Sequence, residues 1–197
     1  MSQTRNRAAF VGCLLLSTAC AMPSRGSVTN AARPPAALEP VVVFVTRHAE
    51  KGTNDPRDPD LSEAGKQRAD ALAAMLARAG VTHLFATELK RTQQTLAPLS
   101  KQCGAAVTVV PVADSAKLAD ALLALPAGSV AVIAGHSNTV PALVRRLGGT
   151  IERTTTTDRG EMLPDEEYGR VMMLVLPPPT AADRKAERTL ELHAGAP

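Results

Sequence analysis

The sequence predicts an α/β fold, a three-layer α/β/α sandwich with a mainly parallel sheet. Short apolar runs rich in β-branched residues alternate along the chain with stretches whose apolar residues have helical spacing. The runs are continuously apolar rather than alternating, which is typical of parallel strands that are covered on both faces. With 197 residues and 45% hydrophobic content, the chain is long enough for one domain with a sizeable core.

The first run, Val41–Val45, predicts a buried strand that places Arg47 and His48 at its carboxyl end. Residues 52–60 contain two prolines and three aspartates and predict a loop. Ser62 then begins a helix that we expect to reach about Ala79. Its spacing predicts that Met75 faces the core and that Arg68 faces mostly outward.

The same alternation continues to the end of the chain. Further strands are predicted at Thr82–Thr87, Val107–Val110, Val130–Ala134 and Val171–Leu176, with an antiparallel edge strand at Thr189–His193. Helices are predicted from Glu88 to about Lys101, from Asp114 or Ser115 through Leu125, and at Val140–Leu147. Pro98 should shorten or kink the first of these helices, because a proline removes a backbone donor. Residues 150–168 carry four consecutive threonines and several acids, and predict a long surface excursion.

The amino terminus has the three regions of a secretory signal peptide. Residues 1–7 carry two arginines, residues 8–19 are apolar, and small residues follow at positions 19–21. We therefore interpret 1–21 as a signal peptide, 22–40 as a disordered linker and 41–197 as the folded domain. Ser17–Cys20 resembles a bacterial lipobox, which would make Cys20 the lipid-bearing residue and attach the protein to a membrane. Ala19–Ala21 equally fits ordinary signal peptidase, which would release a soluble exported protein.

Composition restricts the partners. Aromatic residues make up only 2% of the chain, so the stacking platform of single-strand nucleic-acid binders is lacking. The net charge of +3 falls to +1 without Arg5 and Arg7, so any preference for anions must be local. After the signal region only Cys103 remains, which leaves no internal disulfide. Because the aromatic stacking platform is lacking, nucleic acid is not an expected partner.

Chemically active side chains follow three of the predicted strands. Arg47 and His48 follow the first, Arg91 follows the second, and His136 and Ser137 follow the fourth. Because the carboxyl ends of parallel strands share one rim, these groups should meet there. Arginines match phosphate oxygens, and amides at the start of the helix after Ser137 would add to anion binding. A neutral imidazole can attack phosphorus, which a mere anion-binding site does not require.

The motifs also resemble a known family. Arg47–Glu50, Leu61–Gly65, Thr87–Thr95 and Gly135–Thr139 together are similar to the histidine phosphatase superfamily, also called the phosphoglycerate mutase-like family. The resemblance implies that His48 is the nucleophile that becomes phosphohistidine. It further implies that Arg47, Arg91 and His136 bind the phosphoryl group, that Asn54 assists, and that no metal or other cofactor is used. Ala49–Glu50 and the short chain favour the small phosphohistidine-phosphatase-like branch.

The acid that protonates the leaving group is not evident, because no Glu occurs between Arg91 and Glu152. Asp114, just past the third strand, is one candidate and Glu88 is the other. Asp114 could instead be a plain helix cap. His83 and His193 have no metal-like spacing and are interpreted as ordinary imidazoles.

The leading hypothesis is an exported phosphatase that acts on a phosphorylated small molecule or a phosphoprotein, hydrolysing phosphomonoesters or phosphohistidine through His48. A lipoprotein that binds phosphorylated ligands without turnover is the alternative. An intramolecular phosphomutase is disfavoured, because export would separate it from glycolytic substrates. The sequence names neither the substrate nor the oligomeric state.

Overall fold

The computed structural model describes residues 39–158 and 160–195. Its strands are β1 (Val41–Arg47), β2 (His83–Ala86), β3 (Val107–Val109), β4 (Val130–Gly135), β5 (Thr155–Thr157), β6 (Gly160–Met162), β7 (Arg170–Leu176) and β8 (Arg188–His193). Its α-helices are α1 (Glu63–Leu76), α2 (Lys90–Cys103), α3 (Ser115–Leu123) and α4 (Thr139–Arg146). A 3₁₀ turn, Val112–Asp114, leads into α3.

Six strands form one sheet in the order β3-β2-β4-β1-β7-β8. The first four of these are mutually parallel, whereas β7 runs antiparallel to both β1 and β8. The predicted α/β class is thus confirmed, and the edge strand near residues 189–193 is present as β8. The antiparallel β7 starts beside the end of β1, with Val171 paired to Thr46. The segment before β7 therefore reaches the rim where His48 emerges.

Helices cover both faces of the sheet, which gives the predicted three layers. Successive side chains of β1 point to opposite faces, as the period of a strand requires. Val43 and Val45 belong to a core that includes Leu122 of α3 and Val144 of α4. Phe44, on the other face, belongs to a core that includes Leu72 and Leu76 of α1 and Leu96 and Leu99 of α2. Because both faces are buried, residues Val41–Val45 of β1 can all be apolar.

Helix α1 is capped as predicted, since the Ser62 hydroxyl accepts a hydrogen bond from the Gly65 amide at 3.1 Å. Two expectations for this helix are wrong. It ends at Leu76, and Met75 is 36% exposed rather than buried. The buried positions of α1 follow the spacing 65, 69, 72 and 76, and Met75 lies to the side of this stripe.

Helix α2 continues through Pro98 to Cys103, so the predicted shortening is wrong. Leu96 and Leu99 are fully buried on either side of the proline and hold the two halves against the sheet. The helix closes at Gly104, whose φ of 75° is the left-handed conformation that glycine adopts most readily.

Residues 150–168 form the predicted excursion and contain a small hairpin made of β5 and β6. The Leu163 amide donates to the carbonyl of Ser137 at 2.9 Å, which holds this segment against the turn between β4 and α4. The signal peptide and most of the linker, residues 1–38, lie outside the described residues. In the described part of the chain, the first strand begins at Val41. None of the helices in the described part of the chain is long and apolar enough to cross a bilayer.

Candidate active site

His48 lies directly beyond β1, where its amide still bonds to the carbonyl of Gly135 at 2.9 Å. The residue is only 5% exposed. Its Nδ1 lies 2.8 Å from the carbonyl oxygen of Ala49. A carbonyl can only accept, so Nδ1 carries the hydrogen and the lone pair resides on Nε2. The backbone therefore selects the tautomer in which Nε2 is the nucleophilic atom.

The environment keeps this imidazole neutral. Burial and the positive charges of Arg91 and Arg47 together lower the pKa of His48 to about 3, against the raising effect of the Ala49 carbonyl. A charged imidazolium has no lone pair to attack with. At neutral pH His48 is thus in its nucleophilic form.

The residues that follow His48 fix its position. The Ala49 amide donates to the Thr95 hydroxyl at 2.9 Å, and this hydroxyl donates to the Arg91 carbonyl at 2.7 Å. Glu50 accepts from Nε and Nη2 of Arg68 at 2.6–3.0 Å, so the prediction that Arg68 faces outward is wrong. Arg68 is half-buried because it pairs with this carboxylate and also donates to the Ala194 carbonyl. Glu50 therefore anchors the strand end rather than reacting.

Gly65 allows α1 to approach this strand end closely. A Cβ atom at Gly65 would collide with the carbonyl oxygen of Glu50, which is backbone and cannot move away cheaply. The same Glu50 carbonyl accepts the Ser62 amide at 2.9 Å. The Leu61–Gly65 motif thus docks the start of α1 beneath the nucleophile.

His136 lies at the end of β4 and faces His48, with ring centroids 5.4 Å apart in an edge-on arrangement. It is 8% exposed, and its Nε2 lies 3.0 Å from the hydroxyl oxygen of Thr87. Burial and the positive charges of Arg91 and Arg47 together lower the pKa of His136 to about 4, against the raising effect of Glu88. Both histidines are therefore neutral at pH 7.

A chain of buried hydroxyls fixes the tautomer of His136. Thr92 Oγ1 lies 2.7 Å from the Leu89 carbonyl, which can only accept, so the Thr92 hydrogen points there. Thr87 Oγ1, 2.8 Å from Thr92 Oγ1, must then donate to it. The Thr87 oxygen is left to accept from Nε2 of His136, so Nδ1 is the ring nitrogen left for a ligand.

Two arginines supply the positive charge at this rim. Arg47 is buried, and the charge of Arg91, whose side chain is 16% exposed, acts on both histidines. Nε of each arginine is buried and has no hydrogen-bond partner among the described residues. An unsatisfied buried guanidinium donor is costly, and an oxyanion is the ligand that satisfies it best.

The segment before β7 lies over Arg47. Nη1 of Arg47 donates to the carbonyls of Pro164 and Asp165 at 3.0 and 3.1 Å. Its guanidinium carbon lies 4.1 Å from the centroid of the Tyr168 ring, and that ring lies 6.0 Å from the His48 ring. Tyr168 thus forms an aromatic wall of the site beside the nucleophile.

Two of the three remaining predicted contributors to anion binding are placed differently from expectation. Both ends of the Asn54 amide are hydrogen-bonded to Asp60, which commits Asn54 to the loop rather than to a phosphoryl group. The amides of Thr139 and Val140 bond to the His136 carbonyl and are not free for an anion. Ser137 lies in the correct turn, and its hydroxyl has no partner within the described residues.

The two candidate acids, Asp114 and Glu88, have different partners. The Asp114 carboxylate pairs with Lys117 at 2.7 Å and makes no capping hydrogen bond, although Asp114 precedes α3. Glu88 accepts from the Val112 amide at 2.9 Å, and its charge acts on His136. Across residues 39–158 and 160–195, no three His, Cys, Asp or Glu side chains are grouped to hold a metal ion.

Thr87, Thr92 and Tyr168 belong to the site but were not identified as site residues from the sequence. The two threonines lie in the motif around Arg91, but only the fold reveals their contact with His136. Tyr168 precedes a strand that pairs with β1 in the antiparallel direction. That pairing could have placed Tyr168 at the rim, had the direction of β7 been predicted.

Part of the sequence is similar to known proteins. Residues 43–113 match the model of the histidine phosphatase superfamily, branch 1. A curated relative named probable phosphoglycerate mutase GpmB, from Enterobacter sp. (strain 638), is 33% identical over 75 residues, which are 35% of each chain. A second, from Yersinia enterocolitica, matches to the same extent. The match thus spans about a third of the length of these curated relatives.

Solved structures extend the likeness to the whole domain. The protein histidine phosphatase SixA complexed with tungstate has a TM-score of 0.57 at 20% identity, over 76% of this chain and 96% of that one. Mycobacterial glucosyl-3-phosphoglycerate phosphatase has a TM-score of 0.57 at 16% identity, over 78% of this chain and 99% of that one. At these identities the likeness concerns the fold. The segment that contains His48 and Arg91 thus matches the histidine phosphatase superfamily, as the motifs predicted. The domain has the fold of the solved structures named above.

Proposed function

We propose that this protein is a phosphatase that hydrolyses phosphomonoesters or phosphohistidine through a covalent phosphohistidine on His48. The observation that carries the proposal is the state of His48. Its Nδ1–H is held by the Ala49 carbonyl, its Nε2 is free, and burial with two arginines keeps it neutral. An oxyanion binder would need the arginines but not a nucleophile prepared in this way.

In the first step, Nε2 of His48 forms a bond to phosphorus while the bond to the leaving oxygen breaks. Arg47 and Arg91 hold the equatorial oxygens, and their charge offsets the negative charge that these oxygens carry. In the second step water attacks phosphorus, and the electron pair of the P–N bond returns to Nε2. Inorganic phosphate is released and His48 is restored.

His136 faces the same phosphoryl position through Nδ1. A phosphomonoester has a second pKa of about 6, so part of it is a monoanion at neutral pH. Binding of an anion raises the pKa of a neighbouring imidazole, so His136 can take this proton and donate a charged hydrogen bond from Nδ1. Support for an oxyanion at the site comes from the tungstate complex of the SixA neighbour.

For the leaving group, the structure favours Glu88 over Asp114. The Glu88 charge acts on His136, whereas the Asp114 carboxylate pairs with Lys117. An alkoxide leaving group needs a proton in the transition state, whereas a nitrophenolate scarcely does. Glu88→Gln should therefore slow hydrolysis of alkyl phosphates about a hundredfold and that of 4-nitrophenyl phosphate much less. Asp114→Asn is the matched control, and selective loss in that variant instead would assign the proton to Asp114.

Phosphate release from 4-nitrophenyl phosphate tests the proposal as a whole. His48→Ala should abolish release, whereas His83→Ala, which changes an imidazole stacked on Phe85 away from this cluster, should retain it. Stoichiometric binding of phosphorylated ligands without release would select the non-catalytic binding protein. Transfer of the phosphoryl group to a second hydroxyl of the substrate would select the phosphomutase.

We further propose that the phosphatase is exported, on the strength of the arginines, apolar run and small residues at positions 1–21. Whether it is lipidated on Cys20 or cleaved after Ala21 is decided by the mass of the mature protein. Lipidation predicts partition into detergent that Cys20→Ser abolishes. A soluble product beginning at Met22 would select ordinary cleavage, and retention of residues 1–21 in the cytoplasm would contradict export.

A further inference from the structure

Arg47, the cation next to His48, is held by residues 164–168, a segment before β7 that we call the strap. Nη1 of Arg47 donates to the strap carbonyls of Pro164 and Asp165 at 3.0 and 3.1 Å. Because Nη1 carries two hydrogens, two carbonyl acceptors engage it fully. The strap therefore fixes one end of the guanidinium to the backbone.

The other edge of this guanidinium, formed by Nε and Nη2, remains available to a ligand. Nε is buried and has no hydrogen-bond partner among the described residues. Nη2 lies 3.4 Å from the Tyr168 hydroxyl oxygen and 3.5 Å from an Asp165 carboxylate oxygen, both longer than the usual range of about 2.7–3.2 Å. The Asp165 side chain is 87% exposed, so its contact with Nη2 is weak and an oxyanion can displace it.

The same edge of another arginine already binds an anion in this molecule. Nε of Arg68 donates to both carboxylate oxygens of Glu50 at 2.9 and 3.0 Å, and Nη2 donates to one of them at 2.6 Å. Such a fork of two donors matches the oxygens of a phosphoryl group as well as those of a carboxylate. Arg47 can hold two phosphoryl oxygens in this way, provided that the plane of its guanidinium is fixed.

Tyr168 supplies the contact that fixes this plane. Its half-buried ring lies with its centroid 4.1 Å from the guanidinium carbon of Arg47 and 6.0 Å from the centroid of the His48 ring. A guanidinium is attracted to the face of an aromatic ring at this distance. Because the strap carbonyls hold Nη1, the guanidinium cannot turn Nε and Nη2 away from the site without losing contacts on both sides.

The strap is itself anchored at both ends. At one end the amide of the buried Leu163 donates to the Ser137 carbonyl at 2.9 Å. At the other end Arg170, which is also buried, donates to Glu167 at 2.9 Å and to Glu191 at 3.0 and 2.9 Å. The contacts to Arg47 are thus set before a ligand arrives, which reduces the entropy lost on binding.

We propose that Tyr168 is a positioning residue for phosphoryl binding. Its ring holds the guanidinium of Arg47 in the plane in which Nε and Nη2 together face the phosphoryl oxygens. The inference rests on the proposed phosphatase activity of His48, but it concerns the binding of the oxyanion, which is measurable without turnover. Tyr168 takes no part in the transfer step itself.

The test measures the Kd of inorganic phosphate by calorimetry, after urea unfolding has shown that each variant is folded. Tyr168→Leu and Tyr168→Met both remove the ring and should weaken phosphate binding about tenfold. Tyr168→Phe keeps the ring and should stay within about threefold of the wild type. In an Arg47→Met background, Tyr168→Leu should weaken binding no further, because the ring then has no guanidinium to orient.

The matched control is Phe85→Leu, which removes a buried aromatic ring that stacks on His83 and should leave the Kd of phosphate unchanged. A loss in Tyr168→Leu that persists in the Arg47→Met background would show a general structural role for Tyr168 and overturn the inference. An equal loss in Tyr168→Phe would overturn it as well, because the hydroxyl and not the ring would then be responsible.

Phosphate binding also separates this inference from the proposed phosphatase activity. Unchanged affinity in Tyr168→Leu and Tyr168→Met, with phosphate release by the wild type intact, would overturn the inference and leave the phosphatase proposal standing. If the wild type releases phosphate from no monoester, the predicted losses of affinity would still support the positioning of Arg47 and would contradict only the phosphatase.

Discussion

The tautomer of His136 is set by hydrogen bonds with neighbouring residues. The Thr87 hydroxyl donates to the Thr92 oxygen, and the Thr92 hydroxyl donates to the Leu89 carbonyl. The Thr87 oxygen therefore accepts from Nε2 of His136. The same logic holds for His48, whose tautomer is set by the Ala49 carbonyl. Both imidazoles are thus positioned by groups that would not touch the substrate.

Removing the Thr87 hydroxyl should misorient His136 without unfolding the protein. Thr87→Val keeps the shape of the side chain but offers no acceptor to Nε2, so kcat should fall about tenfold to a hundredfold. Thr87→Ser restores the oxygen and should recover most of the activity. The pH profile of kcat distinguishes this role from a packing effect, because only a change at His136 shifts it. Equal losses in the serine and valine variants, with an unshifted profile, would contradict the positioning role.

Among the site residues, the sequence predicted those that come directly after strands. His48, Arg47, Arg91 and His136 all come after predicted parallel strands, whose carboxyl ends share a rim, and the structure brings them together. The role of Asn54 was inferred from the family resemblance, whereas the structure shows its amide hydrogen-bonded to Asp60. Contacts of this kind depend on loop geometry, which carries no periodic signal in the sequence.

At the scale of the secondary-structure elements, Glu50, just beyond β1, packs closely against the start of α1. Glu50 accepts the amide of Ser62, pairs with Arg68 and leaves no room for a side chain at Gly65. The motif at residues 61–65 is thus explained by packing rather than by chemistry.

Gly65→Ala should destabilise the fold by about 2–3 kcal/mol, because the added methyl group meets the Glu50 backbone. The comparison is Gly104→Ala, where no atom lies within 4 Å of the new Cβ and only the φ of 75° is unfavourable. That variant should lose about 1 kcal/mol. Urea unfolding of both variants measures the difference. A Gly65→Ala loss no larger than that of Gly104→Ala would show that α1 can move away from Glu50.

The sequence predicted the strand β7 but not its direction. An apolar strand at residues 171–176 was evident, but continuous hydrophobicity suits a buried strand of either direction. Its antiparallel pairing with β1 brings Pro164, Asp165 and Tyr168 to Arg47. Long-range pairing of this kind is a property of the sheet and not of the segment.

For the whole molecule, two buried neutral histidines make stability depend on pH. The folded-state pKa values of His48 and His136 are about 3 and about 4, below the ordinary value of 6.5. Between these values and 6.5 the unfolded chain binds protons that the folded protein does not. Their contribution to stability is therefore present above pH 6.5 and is lost as the pH falls.

When the pH falls from 7 to 5, each of the two histidines should lower the free energy of unfolding by about 2 kcal/mol. This window lies above the ordinary carboxylate pKa values, so the acids contribute little to the change. His48→Asn and His136→Asn should each remove about half of the loss, as measured by urea unfolding at both pH values. A pH dependence as steep in both variants as in the wild type would mean that other groups cause it.

The central claim is that His48 carries the phosphoryl group during turnover. The most direct measurement is a rapid acid-free quench of the wild type with a ³²P-labelled phosphomonoester, followed by peptide mapping. We predict an acid-labile, base-stable phosphopeptide that contains His48, forms before free phosphate appears, and is absent in His48→Ala. Turnover by the wild type with no phosphorylated His48, or turnover by His48→Ala at a comparable rate, would contradict the mechanism.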